Sequence, residues 1–136
     1  MKYQPTKFIN FNVDVKSAIP VYEQIKRTIK FAILTGKLQE GDKLMSLREL
    51  STRIQINPNT IIKVYTQLEN EGYVYSRPGA GYFVKLDPTN IQKGKESIFS
   101  EVTRDYVIRV IELGYQQDEV VAQIEKLFKG DYDDQD

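Results

Sequence analysis

The sequence predicts a mainly α chain with one small β-hairpin, divided into a larger N-terminal unit and a shorter helical tail. Three observations predict it. Apolar residues recur at helical spacing in five stretches, most of them bounded by capping residues. A single pair of short Tyr/Phe/Val runs flanks a Gly-rich tip, and the periodicity lapses near residues 87–96.

Residues 8–15 alternate, with Ile9, Phe11, Val13 and Val15 against Asn10, Asn12 and Asp14, and this period of two predicts a half-buried strand. Pro20 suits a helix start. Tyr22, Ile25, Ile29, Ala32 and Ile33 then follow at helical spacing until Gly36, which gives a first helix over 20–35. Ser46-Leu-Arg-Glu49 has the form of a capping box and opens a second helix over 46–54, with Leu47, Leu50 and Ile54 inward. Asn57 is an N-cap candidate and Pro58 suits the first helical position, where its missing N–H costs nothing, so a third helix runs over 58–71. In it Ile61, Val64, Tyr65 and Leu68 form the inward stripe, while Asn59, Thr60, Lys63 and Gln67 face out. Two such helices joined by the short turn Gln55-Ile-Asn57 have the spacing of a helix-turn-helix, whose second helix enters the DNA major groove. The runs 73–76 and 82–85 about Arg77-Pro-Gly-Ala-Gly81 then form a hairpin in the place of a wing.

Residues 1–86 are accordingly read as a winged helix-turn-helix domain and 87–96 as a polar linker. A tail of two helices follows. The first, over 97–113, carries Phe99, Val102, Tyr106, Val110 and Leu113 on one stripe; the second, over 117–129, carries Val120, Val121, Ile124, Leu127 and Phe128. Such a hairpin cannot bury both apolar faces by itself, and a second copy of the chain would cover them as a four-helix unit, so 97–130 is expected to be a dimerisation region. Residues 131–136 are expected to be a disordered acidic tail.

Composition narrows the function. There is no Cys and no His, which removes thiolate and imidazole metal ligands, Cys nucleophiles and the commonest general base. No cofactor, metal or catalytic constellation is expected. Met1–Asn10 lacks the apolar core of a signal peptide, and the longest purely apolar run, Phe31–Leu34, is far short of the roughly 20 residues that span a bilayer. The reading is a cytoplasmic protein without membrane contact. The zero net charge hides an asymmetry: residues 1–86 hold 13 Lys+Arg and 7 Asp+Glu, or +6, whereas residues 87–136 hold 6 and 12, or −6. The front half suits a polyanion, and the rear half is expected to lie away from it.

Pro20-Val-Tyr-Glu-Gln-Ile25, Gly36-Lys-Leu38, Gly41-Asp-Lys-Leu44, Ser46-Leu-Arg-Glu-Leu50, Asn59-Thr-Ile61, Tyr65-Thr-Gln-Leu-Glu69, Glu71-Gly72 and Gly79-Ala-Gly-Tyr-Phe-Val84 together closely resemble the DNA-binding domain of the GntR family of bacterial regulators. The Pro20 start, the Asn57-Pro-Asn-Thr60 turn and the short tail resemble its YtrA-type branch. The resemblance implies a sequence-specific transcriptional regulator: a homodimeric repressor at an inverted-repeat operator in double-stranded DNA, often of an ABC-transporter operon. A winged-helix protein-interaction module is the competing reading, and the polar, cationic outer face of the third helix argues against it. Two departures stand out. Leu44-Met45-Ser46 replaces a common Leu-Pro-Ser, and Asn57-Pro58 replaces a Ser-Arg or Thr-Arg pair, so one base-reading arginine is absent.

The expected DNA-contacting residues are Ser46, Arg48, Asn57, Asn59, Thr60, Lys63, Arg77 and Gly79. Arg48 matches an arginine that contacts DNA in the family, and its fork suits guanine or phosphate. Asn59, Thr60 and Lys63 stand on the exposed first turns of the third helix, where Asn can bond adenine and Lys guanine or phosphate. Arg77 and Gly79 at the wing tip suit the minor groove, although turn geometry alone accounts for the glycine. Ser46 and Asn57 are helix caps first. In the tail, Arg104, Tyr106 and Arg109 are a weaker candidate lining for an unidentified small-molecule effector, and Glu112, Asp118 and Glu119 have no metal-ligand spacing.

Overall fold

The computed structural model describes residues 9–130. They fold as α1 (Val21–Leu34), α2 (Leu47–Ile54), α3 (Pro58–Asn70), β1 (Val74–Arg77), β2 (Gly81–Val84), α4 (Pro88–Glu112) and α5 (Gln117–Phe128). The chain divides into two compact units, residues 1–95 and 96–136. The expected acidic tail at 131–136 and the first residue of the expected strand, Phe8, lie outside the described residues.

The first unit is built on α3. One stripe of this helix, Ile61, Val64, Tyr65 and Leu68, is buried as its spacing predicts, and α1, α2 and β1 all pack against α3. Ile25, Ile29, Ala32 and Ile33 of α1, Leu38, Leu44, Leu50, Val74 and Val84 complete the core. Burial of such side chains, each worth about 1.5–3 kcal/mol, supplies the main drive for folding. At the start of α2 the Ser46 hydroxyl accepts from the Glu49 N–H at 3.1 Å. The turn to α3 is closed by Ile56 N–H on the Ser51 carbonyl at 3.1 Å and the Ser51 hydroxyl on the Ile56 carbonyl at 2.5 Å. Gln55 takes a left-handed conformation there, with φ 56°.

The hairpin pairs Val74 with Val84, Tyr75 with Phe83, Ser76 with Tyr82 and Arg77 with Gly81. Its free edge is partly covered. Gly41 and Leu44 N–H donate to the Val84 and Tyr82 carbonyls, both at 2.9 Å, and Val84 N–H donates to the Asp42 carbonyl at 2.8 Å, so residues 41–44 lie along β2.

Two expectations are corrected. Residues 9–15 form no strand, although Ile9 is buried, Phe11 and Val13 are half-buried and Asn10 and Asn12 are exposed. Alternation reported which side chains are covered as far as Val13 but not at Val15, which is exposed; a strand also requires a ladder partner, and none pairs with this segment among the described residues. Nor is 87–96 an irregular linker: α4 begins at Pro88. The Asp87 carboxylate accepts from Thr89 N–H at 2.9 Å and Asn90 N–H at 3.3 Å, which caps the helix ahead of a proline in its first turn. The polar stretch showed no apolar stripe because its one buried position is Gly94. A Cβ built there would meet Tyr73 Oη at 2.7 Å and Leu34 Cδ2 at 2.8 Å, so the absence of a side chain is itself the packing feature.

In the second unit the last turn of α4 leads through Gly114 to α5, which opens with Gln116 N–H donating to the Glu119 carboxylate at 3.0 Å. No residue of α5 is buried. Among the described residues no helix is long and apolar enough to cross a membrane.

Candidate nucleic-acid interface

The N-terminus of α2 and the wing enclose an open groove of about 600 Å³, with Ser46 and Arg48 on one wall, Arg77 and Gly79 on the other, and Lys43 beside them. Four of the expected contact residues therefore meet in one place. Ser46 accepts the cap bond through its oxygen and keeps its hydroxyl proton for a further acceptor. Gly79 (φ 74°) has nothing within 4 Å of a would-be Cβ, so the turn needs it for its backbone angle, and the open space lets a ligand approach.

Arg77 is held from beneath. Tyr75 and Phe83 are cross-strand partners on the outer face of the hairpin and stack at 5.7 Å, and the Arg77 guanidinium lies 5.0 Å from the Phe83 ring centroid and 5.8 Å from that of Tyr75. The opposite face belongs to the core: Tyr82 meets Tyr65 edge-on at 5.0 Å, and Val74 and Val84 are buried.

The remaining four expected residues do not line this groove but stand at the start of α3. The Asn57 carbonyl oxygen Oδ1 accepts from Asn59 N–H at 2.8 Å, which leaves the Asn57 amide N–H₂ to donate outward. Asn57, Asn59 and Lys63 are exposed, and Thr60 is half-buried.

Charge pairing separates the cations into two sets. Lys26 and Lys30 both bind the Glu71 carboxylate, and Arg27 lies 3.9 Å from Glu23. Burial pushes the Glu71 carboxyl upward, but hydrogen bonds from Lys26 and Lys30, and their charges, outweigh it and hold the group below the usual carboxylate range. By contrast, among the described residues no carboxylate pairs with Lys43, Arg48, Lys63 or Arg77. Cations without a carboxylate partner keep their full attraction for an anion.

The family described as bacterial regulatory proteins, gntR family, matches residues 21–84. The chain is 38% identical to the HTH-type transcriptional repressor YtrA of Bacillus subtilis (strain 168), over 71% of this chain and 75% of that one. It is 32% identical to the uncharacterized HTH-type transcriptional regulator YhcF of the same organism, over 85% and 95%. The chain belongs to the GntR family. Among solved structures, a GntR family transcriptional regulator from Listeria monocytogenes aligns with a TM-score of 0.69 and 32% identity over 82% of this chain and 97% of that one.

This GntR-family protein is thus a DNA-binding transcriptional regulator with the winged helix-turn-helix of its family, similar to YtrA in sequence. Sequence reasoning missed Lys43 as a groove residue, although it lies within the Gly41–Leu44 motif. The signal was its place next to the α2 cap, which gains meaning only when β2 pairs with 41–44. The GntR tail also exposes more apolar surface than the expected stripe. Phe99, Val102, Tyr106, Leu113, Val121, Leu127 and Phe128 are exposed and Val110, Val120 and Ile124 half-buried, but Val107, Ile108, Ile111 and Tyr115 are exposed as well. Val107, Ile108 and Ile111 lie off the Phe99 stripe at 100° per residue, where a search for one face does not count them.

Proposed function

We propose that the chain is a homodimeric repressor that reads an inverted-repeat operator. In this reading Asn59, Thr60 and Lys63 of α3 meet base edges and backbone in the major groove, with Asn57 donating to the adjoining phosphate. Ser46 and Arg48 at the α2 start hold the flanking phosphate backbone, and Arg77 with Gly79 enters the neighbouring minor groove. The observation that carries the DNA-facing assignment is the separation of the cations. Among the described residues no carboxylate pairs with those at the groove and on α3, whereas on α1 Lys26 and Lys30 share the Glu71 carboxylate and Arg27 has Glu23.

Dimerisation is supported by the apolar surface of the second unit. Phe99 and Leu113 are each 73% exposed and Phe128 is 87% exposed in the single chain, which a soluble monomer rarely tolerates over so many residues. A second copy would bury these residues along with Val102, Tyr106, Val110, Val120, Val121, Ile124 and Leu127 as a four-helix unit. The similarity to YtrA supports repression, and the resemblance to its branch supports an ABC-transporter operon as the target.

Selection of duplexes from a random pool, followed by footprinting and sedimentation of the full chain, tests the reading. The expected result is an inverted repeat protected over both half-sites and a dimer at micromolar concentration. Protection of a single half-site, or a monomer, overturns it.

A further inference from the structure

The Lys63 ammonium lies 3.8 Å from the centroid of the Tyr22 ring, a contact between the exposed face of α3 and the first turn of α1. Tyr22 itself is held firmly. Pro20 opens α1 and its carbonyl accepts from Glu23 and Gln24 N–H at 3.0 and 3.1 Å. The Gln24 amide then clamps the preceding loop: Oε1 accepts from Asp14 N–H, and Nε2 donates to the Asp14 and Ile19 carbonyls, each at 2.8 Å. Burial of Ile25 and Ile29 fixes the helix against α3.

We infer that Tyr22 is a positioning residue for DNA binding, holding the Lys63 side chain extended over its ring so that the ammonium is presented to a DNA phosphate already ordered and still charged. The inference rests on the reading that the exposed face of α3 meets DNA. A free lysine loses several rotatable bonds' worth of freedom when it binds a phosphate. A carboxylate partner would order it in advance but would also cancel its charge and have to be displaced. An aromatic face orders it without either penalty, because the ring occupies one side of the ammonium and leaves other N–H groups free to donate. Lys63 has the ring and, among the described residues, no carboxylate, whereas Lys26 has the Glu71 carboxylate and Lys30 has that carboxylate as well as the Tyr73 ring at 5.0 Å.

Two measurements test this. In the free protein, ring current should move the Lys63 Hε protons upfield by NMR in wild type and in Tyr22→Phe, and not in Tyr22→Leu; unshifted protons in wild type overturn the inference. Affinity for the selected inverted-repeat duplex, at one fixed salt concentration and with folding verified by thermal unfolding, should fall about two- to fivefold in Tyr22→Leu and be restored in Tyr22→Phe. In a Lys63→Met background, Tyr22→Leu should cost nothing more. Equal loss in both backgrounds, no loss, or tighter binding by Tyr22→Leu overturns it. A wild-type chain that binds no duplex overturns the DNA-facing reading instead, and the inference falls with it.

Discussion

The buried Tyr65 hydroxyl donates to the Met45 carbonyl at 2.6 Å, across twenty residues of chain. Met45 stands just before the Ser46 cap of α2, where many family members have a proline to stiffen the turn. Here α3 supplies the stiffness from the other side of the core, and the same Tyr65 ring meets Tyr82 of the wing edge-on. One side chain thus ties both walls of the groove to the helix behind them. Tyr65→Phe keeps the ring and leaves the Met45 carbonyl unsatisfied, so denaturant unfolding should show a loss of about 1–3 kcal/mol.

The same phenol sets an alkaline limit. Burial first, then the nearby Glu49 and Tyr82, pushes Tyr65 well above its ordinary value of 10.0. The folded state keeps a proton that the unfolded state releases, so this contribution is complete below about pH 10 and is lost progressively as pH rises beyond it. Stability measured between pH 9 and about 11.5 should fall more steeply in wild type than in Tyr65→Phe.

Glu71 behaves in the opposite sense. Its folded-state carboxyl titrates below the usual range, so the stability it brings is present above the ordinary carboxylate value and lost as pH falls through the lowered one. Glu71→Gln should be less stable at neutral pH and show a flatter acid limb in a thermal-unfolding series. Because the Glu71 side chain is still 35% exposed and water screens its contacts with Lys26 and Lys30, the loss at neutral pH should be modest.

A glycine inside a helix ordinarily invites replacement, since alanine gains about 1 kcal/mol there. Gly94→Ala should do the reverse, because its Cβ would fall within 3 Å of Tyr73 and Leu34. Calorimetry should show a lower unfolding temperature than wild type; a rise would mean that the N-terminal turns of α4 do not rest on Tyr73.

Arg48→Ala and Lys63→Ala should both weaken operator binding, with Arg48→Ala doing so about equally for every sequence and lowering the salt slope by about 1, as loss of a phosphate contact does. Titrations across a salt series, with folding checked separately, decide it. Unchanged affinity in both variants would remove the docking mode.

Much of this was legible in the residues. The helix-turn-helix announced itself through caps and period: Ser46, Asn57 and Pro58 placed the helix starts, and Ile61, Val64, Tyr65 and Leu68 gave the inward face of α3 directly. Legibility failed where packing is carried by something other than an apolar side chain. Gly94 contributes by having none, so α4 was cut nine residues short. Ile9 and Phe11 alternate like a strand and are covered like one, yet among the described residues no strand pairs with them. Within the candidate site, Ser46, Arg48, Arg77 and Gly79 were found as separate signals, and only the hairpin register brought them to one groove. The Tyr22–Lys63 contact joins residues forty-one apart in sequence and left no trace in either local pattern.

The double engagement of Glu71 also bears on traffic along a chromosome. At about 1.5 Å of rise per residue, the end of α3 that carries Glu71 lies roughly 12 Å along the helix axis from Lys63. Were Lys26 and Lys30 bare, that remote end would offer a second adhesive surface, and one molecule could snag two duplexes or linger wherever it landed. On the proposed docking, cancelling part of their charge weakens the pull of that remote end on a second duplex and so favours quick release from a wrong sequence.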